Sequence, residues 1–378
     1  MNPLDHYSPN YQTARRRFSQ AALNARAHME HHLIDAPDAD INTQDAPSQE
    51  DDALAIDVAI LGDPVAEKTL IVSSGLHGIE GFFGSAIQLA WLAEAAAQKD
   101  LLQNKRVVFI HAINPYGFSC RRRANEDNID LNRNFLTEDQ TYQGSPKAYA
   151  QLDKLLNPTT PPTKLECFRL RAFWNIQRHG LKTIKQAVAG GQYEYPKGLF
   201  YGGSAPARST QIIKDNIAQW IADAQDIIHI DLHSGLGQFG QYKILLTEAD
   251  APNGAWYRKH FGAKQVEQTT GSTAKEESTA YPTTGAMGRW IGLQFQDRNY
   301  RFALAEFGTF SVISVLGALR AENRAHFYCD PNAPHHSAYQ EAKTQLCQCF
   351  CPASGPWRSA VVTRGLELIK NALLSLSP

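Results

Sequence analysis

Thr69-Leu70-Ile71-Val72, followed closely by His77-Gly78-Ile79-Glu80, is the stretch on which the reading of this chain turns. A short β-branched apolar run reads as a buried strand, and glycines at 75, 78 and 81 let the chain turn sharply at its end. The apolar residues Phe82, Phe83, Ala86, Ile87, Leu89, Ala90 and Leu92 predict a helix over 80–97 that buries itself against the sheet. His77 and Glu80 are thereby brought to one edge of that sheet. A second run, Asp226-Ile227-Ile228-His229-Ile230-Asp231-Leu232, delivers His233 in the same manner. Two imidazoles and one carboxylate are the ligand set of an open catalytic zinc site, in which water takes the fourth position. A lone HxxE ordinarily marks a histidine and a glutamate satisfied at a strand end; the second histidine gives this one its weight.

Working outward, strands are expected at Ile56–Leu61, Thr69–Ser73, Arg106–Ala112, Asp226–Leu232, Tyr242–Thr247 and Arg301–Ala305. Helices are expected over 11–33, 80–97, 145–157, 163–189, 208–224, 309–325 and 357–375. Such alternation predicts an α/β fold: one domain with a mixed, largely parallel twisted sheet and helices on both faces. Residues 1–52 are expected as an N-terminal helix and acidic loop packed on the main domain, 53–378. Residues 35–52 carry seven acids and no base, the composition of a solvated loop. Four chemically loaded segments follow apolar runs: His77/Glu80, Asn114-Pro115-Tyr116-Gly117, His233-Ser234-Gly235 and Glu306-Phe307-Gly308-Thr309. In open α/β sheets the ligand crevice lies beyond the carboxyl ends of the strands, so parallel strands would converge all four there.

Composition narrows the partners. The 378 residues are 43% hydrophobic and 20% charged with net charge −1, so no field favours nucleic acid or an anionic membrane. No stretch approaches the roughly 18 continuous apolar residues of a membrane span. The start, Met1-Asn2-Pro3-Leu4-Asp5-His6-Tyr7, lacks the basic-then-apolar layout of a secretory signal, which makes the cytoplasm the default compartment. Six cysteines are expected as reduced thiols; the alternating Cys347, Cys349 and Cys351 are badly placed to pair with one another. Oligomeric state is not readable from the sequence.

Two weaker motifs are set aside. Gly235-Leu236-Gly237-Gln238-Phe239-Gly240 spells GxGxxG, but Tyr242-Lys243-Ile244-Leu245-Leu246 reads as another strand, and a dinucleotide site needs a helix N-terminus there. His28 and His32, four apart on the expected first helix, read as a solvated helix face. More is carried by Arg121-Arg122-Arg123 and Asp130-Leu131-Asn132-Arg133-Asn134-Phe135. Asn132 and Arg133 offer an amide and a planar guanidinium fork suited to a carboxylate, and an arginine of the preceding cluster could stabilise an oxyanion.

Taken together, His77-Gly-Ile-Glu80, Asn114-Pro115-Tyr-Gly117, Asp130-Leu131-Asn132-Arg133-Asn134-Phe135, Asp231-Leu-His233 and Glu306-Phe-Gly-Thr309 occur in the order found in zinc metallocarboxypeptidases. The chain resembles the poorly characterised bacterial branch of that superfamily from about residue 7 to about 330 and beyond, including Tyr7-Ser8-Pro9-Asn10-Tyr11 and Ser85-Ala86-Ile87-Gln88. The resemblance implies one Zn2+ per chain on His77, Glu80 and His233, with Glu306 as general base and acid. It implies Arg123 as the carbonyl-polarising arginine, with Arg122 as the other alignment, and Asn132 and Arg133 as the carboxylate-binding pair. Tyr281, in Tyr281-Pro282-Thr283-Thr284-Gly285, matches the tyrosine that closes over substrate.

The sequence also departs from the pattern. The interval from Glu80 to His233 is longer than in the digestive enzymes, which implies an insertion around 140–205 forming a rim or lid. Gly288-Arg289-Trp290 replaces the residues expected after the tyrosine, so Arg289 becomes a candidate selector for acidic leaving residues. The expected activity is zinc-dependent hydrolysis of an amide bond beside a free carboxylate, on a peptide. Two other readings stay open: a deacylase of small N-acyl amino acids, similar to aspartoacylase and succinylglutamate desuccinylase, and a non-catalytic metal-binding protein.

Overall fold

A computed structural model describes residues 2–34, 53–95, 99–163, 166–180, 190–246, 250–268, 283–330 and 337–376. Their strands form one eight-stranded sheet. In chain order these are β1 (His28–Leu33), β2 (Ala55–Gly62), β3 (Lys68–Ser74), β4 (Arg106–His111), β5 (Asp226–Gly235), β6 (Tyr242–Leu246), β7 (Val266–Gln268) and β8 (Asn299–Gly308). Across the sheet the order is β1-β2-β4-β3-β5-β8-β6-β7. The centre, β4-β3-β5-β8, is parallel, while β2 runs antiparallel to β4 and β6 antiparallel to β8. The sheet is therefore mixed and largely parallel, as the pattern of runs predicts.

Alternation along the strands separates two cores. Leu70, Val72, Ile228, Ile230 and Leu232 pack with Phe83, Ile87 and Trp357 from the helices Gly81–Ala95 and Gly355–Ser375. Ile71, Val108, Ile110 and Ile227 pack on the other face with Ile213, Ile217 and Trp220 of the helix Arg208–Ile221. Burial on both faces is why the central strands read as continuous apolar runs. Buried Gln88 donates to the carbonyls of Val72 and Ile110, holding β3 and β4 together near their carboxyl ends.

Two expectations change. The first helix ends at Asn24, and His28–Leu33 forms an edge strand antiparallel to β2. Pairing with a strand some 25 residues further on supplies the backbone bonds that local propensity does not predict. His32 and His28 accordingly sit on β1, facing Glu30. Cys347 and Cys349 lie on the helix Ser337–Phe350, with Cys351 just beyond it. All six cysteines are free thiols. The acidic loop 35–52 lies outside the described residues. Among those described, no helix is long and apolar enough to cross a membrane.

Candidate metal centre

The carboxyl ends of the parallel strands assemble the site. β3 ends at Ser74, and His77 caps the short 3₁₀ turn Gly78–Glu80 that leads into the helix Gly81–Ala95. Gly78 is required there, because a Cβ would stand 2.1 Å from the carbonyl carbon of Gly117. The Asn114–Gly117 turn thus packs backbone to backbone on the HxxE turn. Asn114 accepts from the Gly117 N–H at 2.8 Å and donates to the Arg123 carbonyl at 3.1 Å, while the Gly78 and Ile79 N–H groups donate to the carbonyls of Arg123 and Arg122. This segment is scaffolding: it locks the arginine loop to the His77–Glu80 turn.

His77 Nδ1 lies 2.9 Å from Glu80 Oε1, His233 Nδ1 lies 3.0 Å from Glu80 Oε2, and the two Nδ1 atoms are 3.3 Å apart. All three side chains are buried, and their ligand atoms fall within 4.8 Å of one another. Among the described residues no other group of histidines, cysteines and acids is so placed. Behind each ring stands a carboxylate. His233 Nε2 is 2.6 Å from Asp231 Oδ2, and His77 Nε2 is 3.3 Å from Asp130 Oδ1 and 2.7 Å from Arg123 Nη2. Two inward imidazole nitrogens and a carboxylate suit zinc, and outer carboxylates of this kind orient metal-binding histidines.

Electrostatics keep the carboxylates of this group ionised. Burial alone would raise Glu80, but the two imidazoles outweigh it and bring its carboxyl down to about 2. Burial opposes charging His233, yet Asp231 and Glu80 raise its affinity for a proton well above the ordinary value. Asp130 is likewise held well below the carboxylate range, burial being outweighed by Arg123, Arg133 and His77.

Glu306 lies directly beside His233 in the parallel β5–β8 register, so both side chains emerge on one face. Its Oε1 accepts from the Leu236 N–H at 2.8 Å. Burial, and then the nearby charge of Glu80, push its carboxyl up to about 7.

The two arginines separate cleanly. Arg122 is buried and turned to other partners, donating to Glu322 at 3.0 Å and to Asn128 at 2.8 Å. Arg123 faces them: its Nε donates to Asp130 Oδ2 at 3.0 Å, its Nη1 is 3.8 Å from Glu80, and its guanidinium lies over the Phe200 ring.

Asn132 and Arg133 are both buried. Asn132 Oδ1 accepts from the Met287 N–H at 3.1 Å, and Arg133 Nη1 donates to the Asn132 carbonyl at 2.7 Å. Residues 193–205 fold back over this segment. Tyr193 donates to the Arg133 carbonyl, Asp130 N–H to the Tyr201 carbonyl, and Asn134 to the carbonyls of Gly202 and Ala205. Tyr281 lies outside the described residues. Arg289, expected as a side-chain selector, is exposed on the helix Met287–Gln294, where its charge is felt by the exposed Asp139.

The sequence reading missed Asp130 and Asp231 as partners of the two histidines. Asp231 was legible, because residues two apart on a strand share a face. Asp130 was not, since only the fold brings it to His77.

From residue 7 to residue 364 the chain matches the model of a family described as proteins of unknown function, DUF2817. It belongs to that family. Among curated proteins, no sequence matches this DUF2817 member. Among solved structures it is similar to bovine thrombin-activatable fibrinolysis inhibitor, seen in complex with tick carboxypeptidase inhibitor, at 10% identity and TM-score 0.47 over 96% of this chain and 98% of that one. It is also similar to carboxypeptidase A from Helicoverpa armigera, at 13% identity and TM-score 0.47 over 95% and 73% of the two chains. A metallo-carboxypeptidase from Burkholderia cenocepacia matches at 11% identity and TM-score 0.43 over 95% and 67%.

Proposed function

We propose that this DUF2817 protein is a zinc-dependent hydrolase that cleaves an amide bond beside a free carboxylate, with carboxypeptidase-like chemistry. The observation that carries the reading is the buried His77/Glu80/His233 group with Glu306 on the adjacent strand in register with His233. Zinc held by these three residues would supply Lewis acidity toward the scissile carbonyl and toward an attacking water. Glu306 takes the proton of that water and passes it to the leaving amine, a role suited to a carboxyl that burial makes more basic than usual. Arg123, oriented by Asp130, stabilises the oxyanion. Asn132 and Arg133 hold the substrate carboxylate and set register, and Tyr281 closes over it.

One observation favours the deacylase reading as the second. Arg133 is only 1% exposed, and the chain at Gly191 covers it so closely that a Cβ there would stand 2.7 Å from its Cδ. A carboxylate anchor covered in this way suits a small N-acyl amino acid better than a long peptide. Elemental analysis followed by hydrolysis assays on blocked dipeptides and on N-acyl amino acids tests both readings. Zinc with turnover of either class supports a hydrolase and chooses between them. Zinc without turnover across both panels would favour a non-catalytic metal-binding protein.

A further inference from the structure

β5 presents two unlike faces. Ile228, Ile230 and Leu232 face one core, whereas His229, Asp231 and His233 line the other face and are almost fully buried. Alternating residues of a strand share a face, so the three polar side chains stand in a row over roughly 13 Å. They are joined through a residue of β3. Ser73, in register with Asp231, lies 2.6 Å from Asp231 Oδ1 and 2.8 Å from His229 Nε2. His229 Nδ1 in turn lies 2.8 Å from the hydroxyl of Tyr300, at the far end of β8.

The direction of each bond follows from the groups. A carboxylate only accepts, so the single hydroxyl proton of Ser73 goes to Asp231. Ser73 must therefore accept from the Nε2–H of His229. With that proton on Nε2, His229 Nδ1 is a lone pair that accepts from the Tyr300 hydroxyl. Burial keeps His229 in this neutral form, lowering it to about 4. The other Asp231 oxygen accepts from His233 Nε2–H, which leaves His233 Nδ1 directed at Glu80. One tautomer per ring satisfies the row, and the Phe302 ring packs edge-on against His229 to hold it in place.

Folding alone gives little reason for such a row. Replacing buried, paired polar groups by well-packed apolar ones is often neutral or stabilising, and Ile228, Ile230 and Leu232, which alternate with the row on the opposite face of β5, are apolar. We propose that Ser73, His229 and Tyr300 are positioning residues for the metal centre, fixing through Asp231 the tautomer and ring orientation in which His233 presents Nδ1 to zinc. This rests on the zinc reading above.

Zinc affinity, read by chelator competition on folded protein alongside urea unfolding of the metal-stripped form, is the test. Ser73→Ala and His229→Leu are expected to weaken zinc about 10- to 100-fold, the range typical of lost outer partners. His229→Gln keeps a donor toward Ser73 and an acceptor toward Tyr300, and is expected to restore affinity close to wild type. Unchanged zinc affinity in folded Ser73→Ala and His229→Leu, whatever happens to stability, overturns the proposal while leaving the metal site standing. Wild-type protein that takes up no zinc overturns both. Should either core variant fail to fold, Tyr300→Phe removes only the terminal hydroxyl: weakened zinc supports the row, and wild-type affinity overturns it.

Discussion

Substituting Glu306 by Gln separates chemistry from scaffolding, because the two roles predict opposite changes. The amide oxygen can still accept from the Leu236 N–H, which Glu306 Oε1 does at 2.8 Å, so the end of β8 keeps its geometry. What is lost is the ability to take a proton. Activity should fall by at least the 10²–10⁴-fold typical of lost general acid–base catalysis, with zinc retained. Stability should move the other way. Burial and the charge of Glu80 raise this carboxyl from 4.5 to about 7. For an acid raised on folding, the ionised form destabilises the native state: the penalty begins as pH rises above the unfolded value and is complete above the folded one. At about 1.4 kcal/mol per tenfold change in proton affinity, the metal-stripped native state carries roughly 3 kcal/mol of penalty near neutral pH, which the neutral amide relieves. Urea unfolding of chelator-treated proteins at pH 5 and pH 7.5 should show Glu306→Gln more stable than wild type, with the gap larger at the higher pH. A variant that keeps more than about a tenth of wild-type kcat on a verified substrate would refute the catalytic role. A metal-stripped variant less stable at both pH values would show that Glu306 is a structural strand-end carboxylate.

His77→Ala and His233→Ala should each abolish stoichiometric zinc by elemental analysis, since one missing ligand leaves the site incomplete; full occupancy in either removes that residue from the ligand set. Arg123→Ala should lower kcat with zinc and folding retained, whereas Arg122→Ala, which leaves Glu322 to Lys343 alone and takes the donor from Asn128, should cost about 1–3 kcal/mol in urea unfolding; the reverse pattern would exchange their roles. Glu322, raised by burial but brought down to about 2 by Arg122 and Lys343, contributes stability that is complete above the ordinary value of 4.5 and lost as pH falls toward 2. The advantage of wild type over Glu322→Gln should therefore shrink across that window, as measured by urea unfolding at successive pH values. Gly191→Ala, which forces a Cβ toward Arg133 at a backbone φ of +101°, should raise KM more than it lowers kcat in steady-state assays.

The parts of the site carried by strand ends were legible because there the chain announces both the scaffold and the chemistry. An apolar run, a glycine turn and a histidine fix position and ligand type within a dozen residues. Glu306 was legible for the same reason, at the end of its own run. β1 was not: His28-Met29-Glu30-His31-His32-Leu33 has no alternating apolar face, and it forms a strand because β2 offers an edge. The cysteines at 347 and 349 mimic strand alternation but lie on a helix, where positions two apart point to different sides. Nor could local sequence rank Arg122 against Arg123. Their neighbours in space, Glu322 for one and Asp130 with His77 for the other, come from distant or looped segments.

The last of these misses has a physical origin that bears on the site itself. The arginines take their roles from partners that local sequence does not place, and in the parallel centre of the sheet such partners arrive from adjacent strands distant in the chain. Ser73 and Asp231 are 158 positions apart in sequence and 2.6 Å apart in space. Glu306 and His233 belong to different strands yet share a register position. A motif read along one strand can name the atoms that face the metal. Beyond Asp231, it cannot name the hydroxyls and rings that hold those atoms in place, and in this fold that second set runs through the middle of the sheet.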